Sequence, residues 1–195
     1  MIVECDSGWI IDRIIQAHLA VWTVACVIAF LAFYLQPNMR HNPHFNDQLQ
    51  TLSGLMVQDK PLFGTLMCGF GGAVVVAVVG RITETCDWLA LLLLIVLFIS
   101  LLSVVNYDVH CFKTVHFMSL GVLVAFGTWF VIRVDVQPPY LGYCYYGITF
   151  VFVLMIAFNT FYMKWTPPFM TLQALAEIAW AFALCACMLA FALEE

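Results

Sequence analysis

Six long apolar runs leave this 195-residue chain few folds to choose from. A helix needs about 20 consecutive apolar residues to cross the hydrocarbon core of a bilayer. Runs of that length cover about 14–35, 62–80, 88–105, 115–134, 140–163 and 169–193. Strands of a membrane barrel would be about 10 residues long and would alternate apolar with polar positions. The runs here are unbroken. The pattern predicts an all-α polytopic membrane protein, a six-transmembrane-helix bundle forming one domain over 1–195.

The punctuation fits that reading. Gln36-Pro37-Asn38 ends the first run, Asp59-Lys60-Pro61 precedes the second and Gln137-Pro138-Pro139 separates the fourth from the fifth. Thr166-Pro167-Pro168 opens the sixth, where proline in a first turn forfeits no hydrogen bond. Tyr140, Tyr143, Tyr145 and Tyr146 crowd one end of the fifth run, with Tyr162 and Trp165 at the other. Rings in such places are expected at the headgroup level.

Composition then removes whole function classes. The chain is 64% hydrophobic and 10% charged, against roughly 45–50% and about 25% in soluble domains. A formal charge of −5 with 7 scattered Lys and Arg leaves no basic surface for nucleic acid. The 8 cysteines include no C-x-x-C pair. Cys26, Cys68, Cys185 and Cys187 fall within runs as small hydrophobes, and Cys5, Cys86 and Cys144 lie near an interface, where palmitoylation is open to them.

Six spans put both termini on one side, with Arg13, Arg81 and Arg133, and leave Arg40, Lys60, Lys113 and Lys164 on the other. That three-to-four split gives the positive-inside rule nothing to act on. The acidic start (Glu4, Asp6, Asp12) is unlike a cleaved targeting peptide. The expected location is an organellar or endomembrane bilayer, the mitochondrial inner membrane or a lysosomal or endosomal one, with the termini on the cytosolic or matrix side. Residues 37–61 form the one substantial polar loop. Phe45, Leu49, Leu52 and Met56 recur in it at helical spacing, which suggests a short amphipathic helix on the membrane.

Ionisable groups at depth are costly and often functional. Glu177 is the clearest, with Gln173 one turn before it and Trp180 three residues after. His18 and His116 are its candidate partners. Such a Glu either pins helix packing or forms a proton, ion or headgroup site. A second constellation joins His41, His44 and Asp47 in the long loop to Asp108 and His110 in the link before the fourth run. The six-span topology brings both sets to one surface, where zinc could activate water for lipid hydrolysis. Their H-x-x-H and D-x-H spacings match no strong zinc signature. The main reading therefore has no metal, no cofactor and no catalytic residue, with structural lipids as the expected small molecules.

Helices in lipid associate through small residues that allow close approach. The second run carries two such stripes, Gly64, Cys68, Gly72 and Gly69, Ala73, Ala77. Gly121 and Ala125 make a further pair in the fourth run, and Ala179, Ala183 and Cys187 a third set in the sixth. These faces serve packing within the bundle or contact with another subunit.

Three segments carry a resemblance to a known family. They are Asn42-Pro43-His44-Phe45-Asn46-Asp47 with Lys60-Pro61-Leu62-Phe63-Gly64, then Val115-His116 followed by Ala125-Phe126-Gly127, and Ala176-Glu177-Ile178-Ala179-Trp180. With the span count and the long first loop, the chain resembles the DRAM/Frag/Sfk superfamily of six-span membrane proteins, which includes the damage-regulated autophagy modulators. It departs from them where a Ser-Asp-Thr-Gly pattern is reduced to Asn46-Asp47 and where Glu194-Glu195 ends the chain. The resemblance implies a non-enzymatic membrane organiser, or a protein handling lipids. Few polar groups remain for chemistry. The expected function is thus an accessory or scaffolding subunit of a larger membrane assembly, an organellar energy-transducing complex among the candidates. Its partners would be membrane lipids and other membrane subunits. A stand-alone autophagy- or lipid-related regulator and a metal-dependent lipid hydrolase are the alternatives.

Overall fold

The computed structural model describes residues 60–107, 112–163 and 167–194, with Ile14, Gln16 to His18, Ala20 to Trp22, Val24, Ala25 and Ile28 nearer the N-terminus. The described residues contain helices and short connections but no strand. Five helices follow in order: α1 Lys60–Thr85, α2 Trp88–Asn106, α3 Lys113–Arg133, α4 Pro139–Phe158 and α5 Pro167–Ala192. A π-helical turn, Asn159–Met163, extends α4. All five are long and apolar enough to cross a membrane. The described positions between Ile14 and Ile28 are helical as well.

The helices differ from the apolar runs mainly at their ends. α1 outlasts the 62–80 run by five residues. Gly80-Arg81 looks like a stop, yet the Thr83 and Thr85 hydroxyls donate back to the Gly80 and Ile82 carbonyls, at 2.6 and 3.1 Å. The helix ends only where Cys86 turns into the left-handed region at φ 54°. Asp87 caps α2 by accepting from the Ala90 amide at 3.1 Å. The same carboxylate pairs with Arg133 Nε at 3.0 Å. The α1–α2 turn is thereby tied to the end of α3. We call this the turn end of the bundle. The loop end is the opposite one, where α2 gives way to α3 and α4 to α5.

Packing pairs the helices unevenly. α2 and α3 form one close hairpin, and α4 and α5 another. α1 lies against both α2 and α5, whereas α3 touches α4 only lightly. In lipid these contacts rest on dispersion and close fit rather than on removal of surface from water. Phe130, Tyr145, Phe152, Leu93, Leu94 and Val78 form the fully buried centre. Hydroxyls inside the helices are satisfied locally. Ser100, Thr128 and Thr149 donate to the carbonyls four residues back at 2.7, 2.9 and 2.8 Å.

One expectation about the aromatics is overturned. Tyr145 does not join an interfacial belt; it has no exposed surface. It shares a helix face with Gly142, Thr149 and Phe152, which all point inward. Tyr140 and Tyr143, two faces away, are the exposed ones. Gly127 on α3 admits the Tyr145 ring, since a methyl group there would stand 3.1 Å from the phenolic oxygen.

Candidate functional site

The buried polar side chains collect on the inner face of α5 and at the loop end. Gln173, Glu177 and Trp180 follow one another at four and three residues, so they line a single face of the helix. All three are buried. Asn159, in the π-helical turn after α4, reaches across and donates from Nδ2 to Gln173 Oε1 at 2.6 Å. Asn159 has no exposed surface at all. A π turn widens the backbone by one residue and recurs at functional positions. Here it swings Asn159 onto α5.

Glu177 lies one turn deeper. With α1, α2 and α3 it walls a cavity of about 110 Å³ near the middle of the bundle. Val74, Leu101, Leu123, Leu184 and Met188 are among the apolar residues of that wall. Trp180 lines the same cavity and stacks on Phe152, with ring centroids 5.4 Å apart and planes 23° from parallel. The Tyr145 hydroxyl stands beside Trp180 and 3.3 Å from Thr128 Oγ1. Thr128 spends its own proton on the Val124 carbonyl, so Tyr145 is the donor of that pair.

The two histidines take separate places. His116, buried at the start of α3, bonds through Nδ1 to the Tyr107 carbonyl at 2.8 Å. A carbonyl only accepts, so Nδ1 carries the proton. The bond closes the α2–α3 connection. His18 is exposed, and its Nε2 accepts from Trp22 Nε1 at 3.1 Å. The Trp22 ring in turn packs on Gly69, where any side chain would collide with it. His41, His44, Asp47, Asp108 and His110 lie outside the described residues. Among the described residues no three His, Cys, Asp or Glu side chains gather in a way that would hold a metal ion.

The small-residue stripes of α1 turn mostly inward. Gly64, Ala73 and Ala77 are buried, Gly69 meets Trp22, and Cys68 and Gly72 are half-buried. On α5, Ala179 is exposed, Ala183 half-buried and Cys187 buried, and on α3 a pair four residues apart lies open. Gly121 and Ala125 are exposed, and nothing lies within 4 Å of a methyl group built on Gly121. They line a groove of about 660 Å³ between α3 and α4, with Val153, Ala157, Thr160 and Phe161 on its far side.

Asn159 is the member of the site that sequence reasoning missed. The signal was an Asn-Thr pair after Phe158, inside an apolar run and eight residues before the first of the two prolines. Comparisons with protein-family models, curated proteins and solved structures returned no match to this chain. The likeness to the DRAM/Frag/Sfk membrane proteins rests on the short motifs quoted above.

Proposed function

We propose that this chain is a non-enzymatic, six-span integral membrane protein that serves as an accessory or scaffolding subunit. It would hold a transmembrane helix of a partner subunit in the α3/α4 groove. The observation that carries this reading is the open Gly121–Ala125 pair facing Ala157. Small residues four apart on an exposed helix face allow the close backbone approach on which helix association in lipid depends. The described residues of the α1 stripes are buried or half-buried, whereas Gly121 and Ala125 are exposed side by side and offer another helix a small-residue surface. A first crossing over 14–35 supplies the sixth span. Its support is the helical residues between Ile14 and Ile28 and the seating of Trp22 on Gly69. The resemblance to six-span membrane organisers favours the same role.

The test is native mass after mild detergent extraction from the source membrane. The expected result is a species far above the 22.0 kDa of one chain. Gly121→Leu with Ala125→Leu should release the free subunit. Wild-type protein that migrates as a single chain would sink the subunit reading and leave the stand-alone regulator.

A further inference from the structure

Five cysteines fall among the described residues, all of them free thiols. Cys68 is half-buried on α1, and Cys86 is exposed where α1 ends. Cys185 lines the mid-bundle cavity. Cys144 and Cys187 differ from these because they meet across a seam between two helices. Cys187 is buried near the turn end of α5, with its Sγ 3.7 Å from the Leu141 carbonyl of α4. Cys144 follows Leu141 by three residues and is exposed.

Helix geometry gives the Cys144 thiol access to that same carbonyl. A short side chain on a helix can turn back to the carbonyl three residues before it. Thr83 does so to Gly80 at 2.6 Å, and Cys86 places its thiol 3.7 Å from the Thr83 carbonyl in the same way. One rotation about χ1 therefore brings Cys144 Sγ to the Leu141 carbonyl, beside Cys187 Sγ. The two cysteines already stand within electrostatic range of each other. The other described thiols are placed elsewhere. α1, which carries Cys68 and Cys86, makes no contact with α4. Cys185 lies two residues from Cys187, on the opposite side of α5.

We propose that Cys144 and Cys187 are a redox modification site, a thiol pair that hydrogen peroxide converts into a disulfide stitching α4 to α5 at the turn end. The step balances in two parts. Cys144 sulfur, as thiolate, attacks one peroxide oxygen. The O–O bond breaks, the sulfur becomes a sulfenic acid, and the other oxygen departs as water with the proton that the thiol gave up. Cys187 sulfur then attacks the sulfenic sulfur. The S–S bond forms, the S–O bond breaks, and the departing hydroxide takes the Cys187 proton as a second water. Two thiols are oxidised by two electrons while the peroxide is reduced to two waters. Exposure makes Cys144 the thiol that a small peroxide meets first, and its buried neighbour resolves the sulfenic acid. The product is a covalent tie at one end of a seam whose loop end is held by the Asn159–Gln173 bond.

The experiment treats the full chain in lipid nanodiscs with hydrogen peroxide, then unfolds, alkylates and digests it for mass spectrometry. Cys144 and Cys187 should be lost to alkylation together, in one linked species lighter by two hydrogen atoms. Dithiothreitol should restore both, and Cys185 should stay alkylatable throughout. Amide exchange at the turn ends of α4 and α5 should slow in the oxidised chain. In Cys187→Ala, Cys144 should stop at the sulfenic acid, and dimedone should capture it several-fold more than in wild type. Cys144→Ser alters an exposed position and should leave Cys187 reduced, so the proposal stays testable if Cys187→Ala fails to fold. Oxidation of Cys144 with Cys187 still alkylatable would overturn it. So would a Cys144 linked to any other thiol, a pair that stays reduced, a Cys144→Ser chain that loses Cys187 all the same, or unchanged exchange in the linked chain.

Discussion

The α4/α5 seam and the α3/α4 seam join neighbours in the chain, yet one is closed and the other stands open. Across α4/α5, Phe152 stacks on Trp180, Asn159 bonds Gln173, and the Cys187 thiol points at the Leu141 carbonyl, 3.7 Å away. Large side chains interlock there, and polar groups close the loop end. Across α3/α4, the Thr128–Tyr145 pair is the one polar link described. Beyond it toward the loop end the two helices face each other through Gly121, Ala125 and Ala157, with space between. The contrast shows that a short connection does not by itself make two apolar helices pack. Interlocking shape and a few directional bonds do, and small residues without a facing ridge leave a vacancy for another molecule.

The heaviest blow to the closed seam is Phe152→Ala. The ring is fully buried and stacked. Its removal should cost about 3–5 kcal/mol, as for aromatic truncation in a packed core. Unfolding in detergent titration measures it. A loss below about 1 kcal/mol would mean that the seam is held elsewhere.

Next comes the polar end of that seam. Asn159→Leu leaves Gln173 Oε1 without its donor in a buried position, at a cost of about 1–3 kcal/mol. Replacing both partners with Leu should recover part of it. The coupling between the two sites is expected at about 0.6 kcal/mol and no more than about 1.7. A double-mutant cycle that closes at zero would show the bond contributes nothing to holding α4 on α5.

Gly127→Ala probes the point where the two seams meet. The added methyl stands 3.1 Å from the Tyr145 oxygen, so the ring must give by a few tenths of an ångström. A loss of up to about 1 kcal/mol is expected. The Thr128–Tyr145 link should weaken with it, opening α3 from α4 along its remaining length. Slower exchange of the α3 amides in the variant would contradict that.

How much of this was written in the chain depends on which physical constraint acts. The five helices follow from the apolar runs, whose length and unbroken apolar character suit helices able to cross a bilayer. Glu177 and Gln173 stood out because a polar residue deep in such a run is rarely idle. Asn159 did not, since an Asn near the end of a run reads as the edge of the membrane. Only the π turn makes it face inward. Tyr145 read as one ring of four at an interface, and only helical phase separates it from Tyr143. The groove was least legible. Gly121 and Ala125 look no different in sequence from Ala73 and Ala77, and the divergence of α3 from α4 decides which pair is covered.

The smallest expected effect on stability is also the sharpest test of the open seam. Gly121→Leu with Ala125→Leu places new side chains on an exposed face, where a methyl group on Gly121 would meet no other part of the bundle within 4 Å. If the groove belongs to a partner, the isolated chain should unfold within about 0.5 kcal/mol of wild type, as for substitutions away from packed features. Its native assembly should nevertheless be lost. The two readouts must separate for the comparison to hold. A large stability change would show that α3 and α4 close on each other in the membrane. Retention of the assembly with unchanged stability would show that partners engage some other face.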